Sequence, residues 1–551
     1  MKKVVQKLLL VVAFLGVMTL LIPSYSAALP PVKLGDETEL NVYGFLRNNL
    51  GMLTDNPQPF AQSSNDLATA RTWFRGYTDF KITNELRFFS AVQLVYEPWY
   101  PVEKGSISED KPKGHEYSEW KNYNDVVREF YLEWKPNKTN TIKIGRQIAI
   151  WGEAMTTRVG DVIHPDDARF GMVTFNLDDT RIPSWMIRAT HDFPDINSSF
   201  EWIVNPNIVE SEYRVSRVGA YSILGVPGQR FAFAPEMRFR PPFSVGNPFL
   251  ATLDPALSFF ANPKVVIGPP ISRDWTHIPG APGTGWFPLY NPAISEDFPS
   301  MWGDLRGGFR TNTTLSGFNF GLTYFHTQNY VPTVKRGRVL VPFTPLPPPP
   351  MGPGGVIPGV RQYTLVYPSI DIIGAYMNKQ LPWPGVVRAE VAYTPNMPFN
   401  TFDPGDSDAM VRRGDIKYMI AYDLTSFLYF QWHKTAPFDV TFEHTGEIIP
   451  HNKDLQYIIY ATELRQWNPS FNMRISTNWL YNLISTDLVV GYSPWGRSGL
   501  VSPSVKFMPN WFDKKLSVQL QYNHIFAKNF YQGLGPFRSK DMVLLTTQFD
   551  W

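Results

Sequence analysis

The sequence predicts an all-β protein, a transmembrane antiparallel β-barrel of about 14–16 strands with long extracellular loops. Three observations support this prediction: an export signal, segments in which apolar and polar side chains alternate, and short turns that alternate with long connections. The composition agrees with it. Aromatic residues make up 15% of the 551 residues. Charged residues make up 18%, against roughly 25% in soluble proteins.

The N-terminus has the pattern of a secretory signal peptide. Three lysines within the first seven residues precede an apolar run over residues 8–22, and small residues then extend to Ala28. A run of about 15 residues is short for a helix that spans a bilayer, so we favour cleavage over a membrane anchor. The predicted organisation is therefore a signal peptide, residues 1–28, followed by one barrel over residues 29–551.

The strands are predicted from side chains that alternate with a period of two. Between residues 515 and 525 one face is apolar, with Leu516, Val518, Leu520 and Tyr522, and the intervening residues are polar. An α-helix cannot separate two such sets, because its side chains repeat every 3.6 residues. The same alternation recurs at residues 86–94, 318–324, 387–393, 471–476 and 543–551.

The connections between these strands are of two kinds. Residues 81–84, 136–140 and 194–197 are rich in Asn, Asp and Pro, which is typical of hairpin turns. Two other connections are long: residues 205–305, and a proline-rich loop over residues 329–366. A long loop in a compact protein is usually functional or has its own structure. The 205–305 loop either enters the lumen or forms an extracellular cap, and the sequence leaves both open.

Aromatic residues near the predicted strand ends favour a membrane barrel over a soluble β-sandwich or propeller, because such residues form girdles at both membrane interfaces. They are Trp73, Tyr77, Tyr96, Trp99, Trp134, Trp151, Trp202, Tyr393, Tyr492 and Trp551. Phe549 and Trp551 at the C-terminus also resemble the signal that the outer-membrane assembly machinery reads. That machinery and outer-membrane lipid are therefore expected partners.

Several classes of function are excluded or disfavoured. The chain has no cysteine, which rules out disulfides, thiolate metal sites and covalently attached haem. A formal charge of +2 gives no electrostatic case for nucleic-acid binding. Motifs of serine hydrolases, zinc proteases and P-loop proteins are absent from the sequence. We predict no enzyme, no cofactor and no metal. The histidines in or near strands are more typical of structural roles: His191, His326, His433 and His524.

One string of residues carries a family resemblance. Gly145-Arg146-Gln147 ends a predicted strand, Trp151-Gly152-Glu153 follows, and an acidic stretch then runs over residues 161–167. The string resembles the GRQ…WGE…D…NPxD pattern of the DUF1302 family of Gram-negative outer-membrane proteins. His164 stands where that pattern has Asn. The resemblance implies an outer-membrane β-barrel of unassigned transport role.

Two later stretches, residues 303–310 and 388–393, also resemble the family. The charged residues of the string and of residues 388–393 are the candidate site residues. They are Arg146, Glu153, Asp161, Asp167, Arg388 and Glu390. They form either a charged constriction that selects solutes by sign and size, or salt bridges that fold a loop against the barrel wall. We favour the salt-bridged anchor, because half-buried charges need partners and both signs lie close together. A calcium site at Asp161, Asp166 and Asp167 lacks the twelve-residue loop pattern.

The predicted function is a porin-like channel in the Gram-negative outer membrane for passive or selective passage of small, hydrophobic or aromatic solutes. Its lumen is expected to be lined by Arg87, Arg128, Arg146, Glu390, Arg474 and Gln519. Three alternatives stay open: a sheath or scaffold that binds a periplasmic partner in an export or electron-transfer complex, a barrel enzyme, and an adhesive barrel with a sealed lumen.

Overall fold

The computed structural model describes residues 31–54, 67–96, 126–155, 157–165, 179, 181–206, 294–297, 304–330, 333–339, 361–382, 384–401, 410–430, 433–452, 455–457, 462–510, 515–528, 534 and 541–551. The predicted signal peptide and most of the two long loops lie outside these residues.

The described residues form strands β1 (Val32–Lys33), β2 (Glu39–Leu53), β3 (Leu67–Lys81), β4 (Leu86–Tyr96), β5 (Val127–Asn137), β6 (Asn140–Gln147), β7 (Ser184–Phe193), β8 (Ser198–Asn205), β9 (Ile294–Asp297), β10 (Arg306–Leu315), β11 (Phe318–Gln328), β12 (Thr333–Val339), β13 (Arg361–Val366), β14 (Ser369–Gln380), β15 (Val386–Thr401), β16 (Met410–Phe430), β17 (His433–Ile448), β18 (Leu455–Tyr457), β19 (Thr462–Glu463), β20 (Trp467–Trp479), β21 (Ile484–Ser493), β22 (Ser498–Phe507), β23 (Leu516–Ala527) and β24 (Met542–Asp550). A short 3-10 helix, Pro194–Ile196, joins β7 to β8.

Eighteen of these strands close into an antiparallel barrel, which confirms the predicted fold class. Around the wall the order is β2 to β8, then β10, β11, β14 to β17 and β20 to β24. β24 pairs with β2 over Phe45↔Asp550 to Leu53↔Met542 and closes the ring. β9, β12 and β13 form a separate three-stranded sheet. No helix in the described part of the chain is long and apolar enough to cross a bilayer.

The strand number is a correction, because the predicted range of about 14–16 is too low. Some barrel strands do not show a clean alternation in sequence. β10 has the sequence RGGFRTNTTL, in which glycine and threonine occupy both faces. β22 contains Pro503, which cannot donate to the ladder and disfavours a strand assignment. Both strands nevertheless pair with a neighbour on each side, β10 with β8 and β11, and β22 with β21 and β23.

The two faces of the wall differ as the alternation predicts. Leu520 and Tyr522 point outward and are exposed, and Leu520 lies near the exposed Val505 on the neighbouring strand. Gln521 and Asn523 point inward and bond to each other. The result is an apolar exterior around a polar interior, the arrangement of a transmembrane barrel.

The aromatic residues divide between the two faces. Those on the outside and exposed are Tyr96, Trp134, Trp202, Tyr393 and Tyr492. The girdle assignment is wrong for Trp73 and Tyr77, which share the inward face of Arg71 and Arg75, and for Trp151, which is fully buried inside the barrel. Trp99 lies outside the described residues. The alternation shows that two faces exist, but a single aromatic residue does not show which face it occupies.

The connections at the two ends of the barrel differ in length. At one end, here the short-turn end, strands are joined by a few residues, for example 82–85, 138–139 and 316–317. At the other, the long-loop end, they are joined by segments such as 148–183 and 206–305. The second of these segments contains β9 of the separate sheet, together with residues outside the described part.

Candidate functional site

Gly145-Arg146-Gln147 of the motif string ends β6, and Trp151-Gly152-Glu153 and Asp161 follow in the connection between β6 and β7. We call the described residues of that connection, between 148 and 183, the inward loop. Its described residues bond to inward-facing side chains of β2, β3, β8, β15 and β17. These strands lie on different sides of the wall. The inward loop therefore crosses the interior of the barrel and narrows it.

The loop enters the interior at Trp151. The indole Nε1 donates to Oε1 of Glu201 on β8 at 2.5 Å. The ring also meets Phe325 edge-on, with 5.6 Å between centroids. Trp151, Ile163, Met186, Ile203 and Phe325 form a buried apolar cluster with Ala149. Burying a large ring with its N–H satisfied fixes where the loop leaves the wall.

The next contact is a carboxylate of the opposite wall that holds the loop backbone. Glu390 on β15 accepts from the N–H of Glu153 at 2.8 Å, of Ala154 at 3.0 Å and of Gly160 at 2.6 Å. Glu443 on β17 accepts from the N–H of Met155 at 2.9 Å. Four loop N–H groups are thus satisfied by two buried carboxylates, and such charge-assisted bonds are stronger than neutral ones.

Glycine is required where the loop approaches Glu390. Gly152 has φ +126°, and a Cβ there would lie 2.8 Å from Oε1 of Glu390. A Cβ on Gly160 would overlap the same oxygen. The glycine of the Trp151-Gly152-Glu153 string thus allows the loop backbone to approach the wall carboxylate.

The Glu153 side chain and carbonyl make further contacts with the same wall. Its Oε1 accepts from Nδ2 of Asn378 at 3.1 Å, and its carbonyl O accepts from Nη1 of Arg388. Arg388 also binds both oxygens of Asp423, at 2.5 and 3.0 Å. Arg388 therefore joins an ion pair of the wall to the backbone of the loop.

Apolar packing accompanies these polar contacts. The loop's Val159 is buried in a cluster with wall residues that include Ile372, Met419 and Ala421. Ala154 and Val162 pack against the same cluster. Because these apolar groups lie inside the barrel and away from water, their burial adds to the attachment of the loop.

The second half of the loop holds a charged cluster around Asp161. Asp161 binds Arg181 through Oδ2 at 2.7 Å, with Arg158 Nε at 3.7 Å from the same oxygen. Arg158 Nη1 also donates to the carbonyl O of His164 at 2.7 Å. Burial, reinforced by the charges of Arg158, Arg306 and Arg181, holds the pKa of His164 well below its ordinary value. The neutral ring accepts from Ala149 N–H at 2.8 Å through Nε2 and lies 3.1 Å from the carbonyl of Ile182 through Nδ1.

A third attachment reaches β2 and β3. Asp179 binds Arg47 Nη1 at 2.7 Å and Arg75 Nη2 at 3.0 Å, and its side chain is 1% exposed. Burial alone would raise the pKa of Asp179, but the charges of Arg47 and Arg75 outweigh it and lower the pKa below its ordinary value. Asp179 therefore neutralises part of a buried pair of arginines.

The candidate residues are only partly brought together. Glu153, Arg388 and Glu390 form one contact region, and Asp161 lies nearby in the same loop. Arg146 does not pair with Glu153 but donates from Nε to the carbonyl of Pro183 at 3.3 Å. Asp167 lies outside the described residues, as does Asp166 of the considered calcium site.

Sequence reasoning missed several residues of the loop attachment. They are Arg47, Arg75, Asp179, Glu201 and Glu443. Asp179 follows another aspartate in the sequence, a pattern that indicates a solvated turn, whereas the structure buries its side chain. Glu201 and Glu443 could have been noticed as single carboxylates at inward positions of strands. The sequence does not show which groups they bind.

Other inward-facing charges remain open to the lumen. Arg87 on β4 binds Asp79 at 2.5 Å, and its side chain is 40% exposed. Arg474 on β20 binds Asp487 at 3.0 Å and is 50% exposed. Gln519 lies on the same inward face as Gln521. The inward loop therefore leaves part of the interior accessible to water.

These features define the class: a transmembrane β-barrel whose interior is narrowed by the described residues of a loop attached to several sides of the wall. The chain belongs to the family described as "Protein of unknown function (DUF1302)", which matches residues 61–549. This confirms the resemblance found in the sequence. No curated protein matches the chain.

Solved structures similar to the chain are outer-membrane proteins at low identity. OmpF of Salmonella typhi, in complex with daunomycin, is 8% identical with a TM-score of 0.38, over 95% of this chain and 100% of that one. The outer membrane channel DcaP of Acinetobacter baumannii is 8% identical with a TM-score of 0.36, over 94% and 99%. OccD3 of Pseudomonas aeruginosa is 10% identical with a TM-score of 0.41, over 96% and 94%. Values this low assign neither a solute nor a mechanism to this chain.

Proposed function

We propose that this protein is a porin-like channel of the Gram-negative outer membrane, in which the inward loop forms the constriction and small solutes pass beside it. The observation that carries the proposal is the combination of a closed wall and a partly open interior. Arg87 and Arg474 face inward, yet their side chains stay 40% and 50% exposed. A barrel of eighteen strands is wide enough for an aqueous path unless its interior is filled.

The proposed location follows from the two faces of the wall. The apolar outer face suits the hydrocarbon region of a membrane, and closed barrels of this kind occur in outer membranes. The short-turn end would then face the periplasm. Phe549 and Trp551 lie in and after the closing strand, where Trp551 N–H donates to the carbonyl of Gly44. These residues are the proposed signal for the assembly machinery.

The mechanism is diffusion past a fixed obstacle. Glu390 and Glu443 hold the loop backbone against the β15–β17 wall, so the free path lies on the remaining sides. Solutes on that path meet inward-facing charges of both signs, which would select by charge and size. A catalytic role is not needed to explain any of these contacts.

Planar-bilayer conductance of the purified, refolded protein tests the proposal. The wild type is compared with the double variant Glu390→Gln/Glu443→Gln and with Glu447→Gln, a control on the same strand β17 whose carboxylate accepts from Nδ2 of Asn468. We expect stable channels in the wild type, larger or noisier conductance in the double variant, and wild-type conductance in the control.

Silence of all three proteins, when each still migrates as a folded, SDS-resistant barrel, contradicts the channel. The sheath, scaffold and sealed-barrel alternatives would then be tested by co-purification of a periplasmic partner. Conductance that is equal in the wild type and the double variant would retain the channel but reject the inward loop as its constriction.

A further inference from the structure

We propose that the inner wall of β2 to β5 carries a binding track for amphipathic organic anions, with aromatic carboxylates as the class of solute. The track is a row of four aromatic rings beside a row of exposed cations. This inference rests on the proposed function, because it takes the lumen as the route of the solute. It goes further by naming where the solute binds and which chemistry is recognised.

The row of rings crosses four neighbouring strands. Tyr43 on β2 stacks on Tyr77 of β3, with 4.9 Å between centroids and 19° between planes. Tyr77 lies 6.2 Å from Phe89 on β4, and Phe89 lies 5.2 Å from Tyr131 on β5. With strands about 4.8 Å apart, the row is about 15 Å long, longer than a single aromatic solute.

The strand register explains the row. Tyr43 is directly opposite Tyr77, and Phe89 is directly opposite Tyr131. The partner of Tyr77 on β4 is Ala91, whose small side chain lets Tyr77 reach Phe89 diagonally. The rings therefore share the inward face with Arg87 and Arg75, and do not belong to the outer girdle. Tyr43 is exposed and Tyr77 and Tyr131 are partly exposed, whereas Phe89 is buried between its neighbours.

A row of charges lies next to the rings, toward the short-turn end. Lys143 Nζ lies 5.2 Å from the centroid of Tyr131, and the guanidinium carbon of Arg87 lies 6.0 Å from that of Phe89. Lys143 binds Glu133 at 2.9 Å and Lys135 binds the same carboxylate at 3.0 Å. Arg87, Lys135 and Lys143 pair with two acids, Asp79 and Glu133, and a third acid, Glu129, lies on the same face of β5 on the other side of Tyr131.

The difference in exposure decides the sign of the solute. The side chains of Lys135 and Lys143 are 52% and 25% exposed, whereas that of their shared partner Glu133 is 6% exposed. A molecule in the lumen therefore meets the ammonium groups before the carboxylate. An anionic group can bind there without displacing Glu133, and the apolar part of the same molecule can lie against the rings.

Both halves of the track are needed for this specificity. Ring edges carry partial positive charge and attract the face of another aromatic ring, but they do not distinguish an acid from an alcohol. The exposed cations attract any anion, but they do not distinguish benzoate from acetate. Only a solute that carries both an anionic group and an aromatic ring engages both rows.

Isothermal titration calorimetry on the full-length protein refolded in detergent tests the track without requiring conductance. The probes are benzoate, acetate and benzylammonium, which separate the contributions of ring and charge. The variants are Lys143→Gln and Tyr131→Leu, chosen because Glu133 still has Lys135 as a partner and because the Tyr131 ring lies 5.2 Å from Lys143 Nζ. Lys506→Gln is the matched control, since it removes an inward positive charge on β22, outside the track.

We expect benzoate to bind, with acetate and benzylammonium at least about tenfold weaker and with each track variant weakening benzoate about fivefold. Lys506→Gln should leave benzoate binding unchanged. The track is rejected if benzoate does not bind, if benzylammonium binds equally well, or if the control variant weakens binding as much as Lys143→Gln. Because detergent can absorb aromatic molecules, the comparison between variants in one detergent is the deciding measurement.

Bilayer currents with benzoate added separate this inference from the proposed function. Channels that conduct, together with benzoate that neither binds nor blocks, would reject the track and keep the channel. Benzoate binding with the expected variant pattern, in a protein that never conducts, would keep the site and reject the transport role.

Discussion

The barrel interior contains two groups of ion pairs made from the same residue types. One group attaches the inward loop, and its members are buried: the side chain of Asp179 is 1% exposed between Arg47 and Arg75. The other group lies on the open wall, where Arg474 is 50% exposed beside Asp487. The comparison teaches that burial, and not the presence of a salt bridge, separates a structural anchor from a group that a solute can meet.

The same substitution in both regions gives the largest expected difference. Asp179→Asn leaves the buried Arg75 and the partly buried Arg47 without their carboxylate, and breaking a buried pair costs about 3–5 kcal/mol. Asp487→Asn removes an exposed pair, worth about 0–1 kcal/mol. Hydrogen exchange of residues 148–165 should accelerate strongly in Asp179→Asn and stay at the wild-type rate in Asp487→Asn. Equal exchange in the two variants would show that the loop does not depend on its buried anchors.

Substitutions at two glycines test the contact between the loop backbone and Glu390. Gly152→Ala introduces a Cβ 2.8 Å from Oε1 of Glu390 at φ +126°, and we expect a loss of about 2–3 kcal/mol. Gly317 has φ +76° in a turn of the wall, and a Cβ added there would have nothing within 4 Å. Gly317→Ala therefore measures the backbone cost alone, about 1 kcal/mol.

Urea unfolding in detergent, together with loop hydrogen exchange, checks this pair. Gly152→Ala should loosen the loop and raise channel conductance, whereas Gly317→Ala should alter neither. If both variants lose the same stability and leave the loop unchanged, the contact with Glu390 does not hold the loop.

Much of the barrel could be predicted from sequence, because alternation is a local property. The faces of β23 and the hairpin at 194–197 followed from a few adjacent residues. The face of Trp73 and the strand identity of β22 did not, since both depend on pairing with neighbours.

The contacts of the candidate site were less predictable, because they also depend on residues that are far apart in the sequence. The string Trp151-Gly152-Glu153 stands out in the sequence as a family pattern, and in the structure it lies at the loop attachment. Its partner Glu390 is 237 residues away from Glu153 in the sequence. Glu390 is a candidate from the stretch 388–393, but nothing local pairs it with the loop backbone, because that contact depends on closure of the barrel.

Lowering the pH should weaken the buried contacts of the inward loop before it affects the ion pairs of the open wall. His164 is neutral in the folded protein because its pKa is held well below the ordinary value, so unfolding takes up a proton below about pH 6.5. The pKa of Asp179 is lowered, so its contribution is present above about pH 4 and is lost as the pH falls through the folded value. Loop stability should therefore decrease first by up to about 1.4 kcal/mol per pH unit below 6.5.

Hydrogen exchange of the loop, corrected for the intrinsic pH dependence of exchange, measures this effect between pH 7 and 5. His164→Asn supplies a neutral amide at the same position and should flatten the dependence in that range. A wild-type loop whose corrected protection is constant from pH 7 to 5 would contradict the assignment of a neutral, buried His164.

The smallest effect on stability is expected at the open wall, where the quantity to measure is ion selectivity. Arg474→Gln removes a half-exposed cation whose partner Asp487 is itself 25% exposed, so stability should change by no more than about 0.5 kcal/mol. The lumen nevertheless loses one positive charge and retains Asp487, which should shift ion selectivity toward cations.

Reversal potentials in a potassium chloride gradient measure this shift, with Arg181→Gln as the buried counterpart. Arg181 lies beside Asp161, away from the open path, so its loss should loosen the loop more than it changes selectivity. If Arg474→Gln instead destabilises the loop and leaves the reversal potential unchanged, exposure does not separate the two groups of ion pairs, because a wall charge then acts as an anchor.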